Sequence, residues 1–289
     1  MTRSSQFAVV LALCAGCTST VSKNNADGGQ AGSAGSAASG GSGGASGGAG
    51  QAGNAGSSAA AGSGGVAGSG GVGGLDGGPA PGVSDEFDGN EFASHWQVHN
   101  PQELAIQSVQ SGQARLQPTT DSIWFHTQSG PLVYQNVSGD FKITTQLSMN
   151  GTYPPFSQVH WAGLMLRHTH GSGENTIHLV VGQDASGNMS REWSSTVNGG
   201  TIFSTPHPPW DGSAIQLRIC KVGADMRLYT RAPGLAWTMI HNEPRPDFVG
   251  SFQAGMVTHS NATSQLMATA HYEWVRFASV TTGADCTTD

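Results

Sequence analysis

The sequence predicts an all-β fold, an antiparallel jelly-roll β-sandwich over residues 84–280. Three observations carry that expectation. Apolar residues in this span recur with a period of two rather than 3.6. The apolar runs are short and bounded by turn signals. No ten-residue stretch combines amphipathic helical spacing with helix caps. Many short, half-buried strands at regular spacing are what two packed antiparallel sheets require.

Taken in order, the first strand signal is Ser84-Asp-Glu-Phe-Asp-Gly89, ended by the Asp88-Gly89 turn. Ile123-Trp-Phe-His126 reads as a further strand. After the Ser138-Gly139-Asp140 turn, Phe141, Ile143 and Leu147 share one face while Lys142, Thr144 and Gln146 share the other. Ala162, Leu164 and Leu166 alternate with Gly163, Met165 and Arg167, which aims Arg167 away from the apolar face. Ser186-Gly187-Asn188 and Asn198-Gly199-Gly200 are turns, with Arg191-Glu-Trp193 on a strand between them. Ile215, Leu217 and Ile219 alternate with Gln216, Arg218 and Cys220. In the last run, Tyr272, Trp274 and Arg276 fall on one face and Glu273, Val275 and Phe277 on the other.

Residues 1–17 have a different character. A positive Arg3 precedes an apolar run from Phe7 to Ala15, then Gly16-Cys17: a signal-peptide h-region and small-residue cleavage site, too short to span a bilayer as a helix. Ala15-Gly16-Cys17 resembles the lipobox of bacterial lipoproteins, with Cys14 where that family usually has leucine. The resemblance implies lipidation of Cys17 and an anchor in the cell envelope. Thr18 is not the aspartate that commonly holds such proteins at the inner membrane, so the outer membrane is expected. Residues 18–83 form a Gly/Ala/Ser-rich tether holding more than half of the chain's 43 glycines. With almost no apolar surface to bury it is expected to be disordered, with a root-mean-square span of about 45 Å.

The chain carries 12 Lys plus Arg against 19 Asp plus Glu, a net charge of −7, without a basic run; nucleic acid is excluded as a partner. In an exported chain Cys220 and Cys286 are a candidate disulfide, which would tie down the polar tail 281–289 and stabilise by about 4 kcal/mol through loop closure.

The folded unit resembles the concanavalin A-like lectin/glucanase sandwiches, closest to laminin-G-like modules and the C-terminal module of some β-xylosidases. The resemblance rests on Ser84-Asp-Glu-Phe-Asp-Gly89 with Trp96, Ala162-Gly-Leu-Met-Leu-Arg167, Ile215-Gln-Leu-Arg-Ile219 with Gly223, Met226-Arg-Leu-Tyr229 and Trp237, Phe252-Gln-Ala-Gly-Met256, and Tyr272-Glu-Trp-Val-Arg-Phe277. It implies that the last strand pairs with the first and that Trp237 and Trp274 are core. A fold shared by lectins, hydrolases and lyases leaves activity to be argued from the site.

Three chemical patterns are present. Glu86, Asp88 and Glu91 spell the E-x-D-x-x-E of glucanases in this superfamily, but in the opening strand and broken by a turn, which reads as a solvated strand end. Gln158-Val-His160 resembles an element of jelly-roll alginate lyases, in which a histidine and a tyrosine act as base and acid; Val257 stands where the tyrosine is expected. His168-Thr-His170 invites a metal reading and Asp184 with Asn188 a structural calcium, yet neither assembles a ligand set, and no cofactor is expected. Aromatic residues make the stronger case, since sugar rings stack on Trp and Tyr. Trp210 in Thr205-Pro-His-Pro-Pro-Trp-Asp211 is expected to point outward from a stiff loop, as is Tyr153 beside Pro154-Pro155. With Trp124, His126, His160, Arg167 and Trp193 these make the candidate ligand-binding set, Arg167 gripping an acidic or hydroxylated ligand. The sequence therefore predicts a cell-envelope lipoprotein displaying a non-catalytic sandwich that binds polysaccharide or another cell-surface glycan. The alternative is a polysaccharide-active enzyme, lyase or hydrolase, with a diverged site.

Overall fold

The computed structural model describes residues 81–168, 174–263 and 267–289. The leader, Cys17, the tether up to residue 80 and His170 lie outside the described residues. Among the described residues there is no α-helix, and two seven-stranded antiparallel sheets face one another. The front sheet is ordered β1 (Gln97–His99), β4 (Leu132–Ser138), β13 (Ser251–Ser260), β6 (His160–His168), β7 (Asn175–Gln183), β8 (Met189–Val197) and β9 (Gly200–Phe203). The back sheet is ordered β12 (Thr238–Pro244), β11 (Asp225–Arg231), β10 (Ile215–Val222), β5 (Phe141–Asn150), β14 (Thr269–Ser279), β3 (Ala114–Pro118) and β2 (Leu104–Val109). The Asn198-Gly199 signal closes the β8–β9 hairpin with both residues at positive φ, 50° and 79°, the backbone that a two-residue turn demands.

Period-two alternation sends Ala162, Leu164 and Leu166 of β6, Ile177, Leu179 and Val181 of β7, and Ala254 and Met256 of β13 inward from the front sheet. Phe141, Ile143, Leu147, Ile215, Leu217 and Ile219 meet them from the back sheet in one core. Tyr272 of β14 crosses that core. Its hydroxyl accepts the Gly163 N–H at 3.1 Å and donates to Val257 O at 2.6 Å, joining the back sheet to the β6–β13 seam of the front sheet. The strands pack closely there: a β-carbon on Gly163 would run into Leu179 O, and one on Gly255 into Val133 O.

A bulge between Tyr272 and Trp274 corrects the expected face pattern of β14. Two residues oppose one on β5, so the alternation slips by one: Tyr272, Val275 and Phe277 point inward while Trp274 and Arg276 point outward. Trp274 is therefore not core; it lies half-buried on the outer face beneath the Arg276 guanidinium, 4.4 Å from the ring centroid. Nor is Trp237 core. It is held between the guanidiniums of Arg218 and Arg231, at 4.0 and 4.2 Å. Two expected strands also shrink. The opening segment makes only the bridge Asp85–Val275, which does pair first with last, and residues 123–126 are a crossing segment rather than a strand.

Cys220 and Cys286 are joined in a disulfide. The polar tail consequently lies across the outer face of the back sheet. Lys142 Nζ donates to Asp285 O and Thr288 O, and Arg218 Nη1 to Cys286 O and Thr288 O. Lys142, Thr144, Gln216 and Arg218, on the polar side of the alternation, are buried because the tail covers them.

Tyr272→Phe removes one hydroxyl and leaves the Gly163 N–H and Val257 O short of a partner. It is expected to lower the unfolding free energy by about 1–3 kcal/mol, read as a fall in urea midpoint at unchanged m-value.

Candidate functional site

Residues that point outward from the central strands of the front sheet do not reach open solvent. The central strands β6 and β7 are buried on both faces, because two irregular segments cover them. Residues 119–131 cross the sheet, fastened at Ser122 to Ser260 of β13 and at His126 N to Thr201 Oγ1 of β9. Residues 204–210 return alongside β8 through Ser204 N to Trp193 O, Arg191 N to Pro208 O and Trp210 N to Met189 O. Between them lies a cavity of about 400 Å³. Trp161, Glu192, Ser194 and His259 form its floor, Trp124 and Phe125 one wall, Phe203 and His207 the other, with Asn261 at one end.

The aromatic faces form a continuous lining. His207 stands 5.6 Å from Trp161 and 6.2 Å from Phe203, ring centre to ring centre, the latter stacked. Trp124 is fixed by Nε1 donating to Pro131 O at 3.0 Å. The polar groups converge on Glu192. His178 Nε2 lies 3.3 Å from its Oε1 and 2.8 Å from Ser194 Oγ, and His207 Nδ1 lies 3.6 Å from its Oε2. His259, 5.3 Å from His178 between ring centres, is 2% exposed, and neither of its ring nitrogens has a hydrogen-bond partner. Burial, with His178 and His160 nearby, holds the His259 ring well below the usual histidine range, so it is neutral at pH 7. A neutral imidazole offers one donor and one acceptor.

The polar groups around Glu192 do not form a hydrolytic pattern among the described lining residues. Ser194 and Glu192 bear on the same nitrogen of His178, whereas a nucleophile relay needs them on opposite nitrogens. Glu192 is the only carboxylate among the described lining residues, and retaining hydrolysis needs two about 5–5.5 Å apart. No tyrosine lines the cavity among the described residues, and they contain no group of three metal-ligating side chains.

The candidates separate accordingly. Trp124 lines the cavity. His126 is exposed beside it, its Nδ1 3.2 Å from Gly199 O, and it pins the crossing segment rather than entering. Arg167 does face outward, but it is buried and committed. Nε and Nη2 clasp both Glu174 oxygens at 2.8 Å, Nη1 donates to Gln253, and Trp124 lies 5.5 Å away, so it offers no free grip for an acidic ligand. Trp193 points inward and stacks on His241 at 3.5 Å. Trp210 is not presented outward: it is 7% exposed, packed into the core, with Nε1 donating to Ser213 O. It edges a second cavity of about 480 Å³ lined also by Arg191, whose Nη1 donates to Thr230 and whose Nε has no partner, and by Arg231, which is held by Asp289. His160 points into the sandwich end opposite Tyr153, away from the cavity, and burial pulls its pKa down to about 4. Tyr153 packs against the core, its hydroxyl pushed up to about 12.

The other patterns are structural. Arg276 holds both Glu86 oxygens, at 2.7 and 2.9 Å, while Asp88 and Glu91 stand apart in solvent. Asp184 accepts from Ser186 N, Asn188 N and Ser190 Oγ, closing the β7–β8 hairpin. Sequence reasoning missed His207, Phe203, Glu192 and His259. The one available signal for His207 was its proline-rich loop, which drew attention to Trp210 instead.

The sequence matches no protein-family model and no curated protein. Its fold is similar to solved structures. One is a functionally unknown protein from Saccharomyces cerevisiae, with 14% identity and TM-score 0.52 over 65% of this chain and 98% of that one. A second is xylan β-1,4-xylosidase from Bacillus halodurans, with 20% identity and TM-score 0.52 over 67% of this chain and 38% of that one. A third is the GH43 BlXynB protein from Bacillus licheniformis, with 13% identity and TM-score 0.54 over 68% of this chain and 39% of that one. This chain thus spans well under half of the two larger relatives, and at these identities the likeness is one of fold alone.

The buried histidines give an acid-lability test. His160 and His259 are neutral in the folded protein, whereas the unfolded chain takes up protons near the ordinary histidine pKa of 6.5. The unfolded state therefore binds more protons below that pH, and stability falls as pH drops from 6.5 towards 4, by about 3 kcal/mol from His160 alone. Melting temperatures across that range at constant ionic strength should decline, and His160→Leu should flatten the slope.

Proposed function

We propose that this chain is a cell-envelope lipoprotein, anchored through an acylated Cys17 in the outer membrane, that displays a non-catalytic carbohydrate-binding sandwich on the 18–83 tether. The observation that carries the binding reading is the aromatic-walled cavity with the Glu192 carboxylate and Ser194 hydroxyl on its floor. Pyranose and furanose rings offer C–H faces to indole and phenyl rings and hydroxyls to polar groups, which is the complement of this lining. The fold likeness to a protein named as a xylan β-1,4-xylosidase makes xylan the first polysaccharide to try.

Phe203 is 41% exposed and its ring closes one wall, so its removal tests the seat without emptying the core. Phe203→Ala should weaken retention of the protein on insoluble xylan or the best-retaining polysaccharide of a panel by about tenfold, with an unchanged melting curve. Equal retention would place the seat elsewhere, and release of reducing or unsaturated ends by the wild type would replace binding with catalysis.

For the anchor, Cys17→Ser should abolish incorporation of labelled palmitate and shift the protein from the membrane to the soluble fraction of a bacterial host. Persistent labelling would overturn the anchor.

A further inference from the structure

We propose that the front-sheet cavity selects uncharged sugar units and rejects acidic ones, with Glu192 as the excluding charge. This rests on the carbohydrate-binding reading above and adds the ligand class.

The charge inventory of the cavity is one-sided. Among the described lining residues there is one carboxylate, Glu192, and neither lysine nor arginine. The cation expected to serve an acidic ligand, Arg167, is consumed by the bidentate Glu174 and by Gln253. His259 adds no positive charge at neutral pH because its burial favours the uncharged ring. A uronate, sulfate or phosphate entering the cavity would meet the Glu192 carboxylate in surroundings that screen poorly, and the chain's net charge of −7 acts in the same direction from a distance. Like charges at such range reduce affinity by about tenfold or more.

The full-length protein in detergent is tested at pH 7.5 for retention on xylan and polygalacturonate immobilised at equal sugar density. Wild type should bind the neutral polymer at least tenfold more tightly than polygalacturonate. Glu192→Gln should narrow the gap between xylan and polygalacturonate to a few-fold. Equal or tighter retention of polygalacturonate by the wild type, or a discrimination unchanged in Glu192→Gln, overturns this proposal and leaves the carbohydrate-binding reading standing. Retention of no polysaccharide overturns both. Should a variant fail to give the wild-type melting curve, the wild-type comparison alone decides.

Discussion

Tyr272 sends its hydroxyl through the middle of the sandwich to two backbone groups on adjacent strands of the opposite sheet, the Gly163 N–H and Val257 O. Two sheets held by apolar packing can slide against each other at little cost, because dispersion and hydrophobic burial are non-directional. A buried hydrogen bond between them fixes their relative position, since breaking it leaves polar groups unsatisfied in the core. The residues around it follow from this demand. Gly163 and Gly255 carry no side chain because a β-carbon at either position would strike the neighbouring strand. The β14 bulge turns Tyr272 inward while keeping Val275 and Phe277 inward as well, which unbroken alternation cannot do.

The position of β6 against β13 in turn decides what the outer face offers. Trp161, Gly163, Met165 and Arg167 on β6 stand opposite His259, Val257, Gly255 and Gln253 on β13. Bulky aromatic and imidazole rings gather at one end of that ladder and a locked guanidinium at the other. The crossing segment 119–131 and the returning segment 204–210 roof the aromatic end. They convert an open sheet surface into a recess with Trp161, Glu192 and His259 on its floor. On the other side of the molecule the disulfide-held tail does the reverse: it fills the polar face of the back sheet with carbonyls that satisfy Lys142 and Arg218.

Residues distant in sequence compose the site, and that limited what could be read in advance. Trp124 was visible as an aromatic candidate. Glu192 and Ser194 look like ordinary polar positions of an edge-proximal strand, and His259 like the end of an apolar one. His207 becomes a wall residue only because its loop pairs back along β8. Arg167 was placed on the right face by alternation, yet its commitment to Glu174 and Gln253 depends on strand neighbours that alternation does not name.

By itself the sequence determined the all-β class, the inward faces of β5, β6 and β10, and the turn chemistry of the Asn198-Gly199 hairpin, because these depend on periods of two and on local backbone preference. It also offered Cys220 and the tail residue Cys286 as a candidate disulfide, which the structure forms. Only the tertiary structure decided that Tyr272 and Trp274 lie on opposite faces, that Trp210 and Trp193 are packed rather than displayed, and that Glu192, His207 and His259 share one cavity. The physical reason is common to all three. A bulge, a strand register and the path of a covering loop are set by the free energy of the assembled sheets, and no local stretch of sequence contains that term.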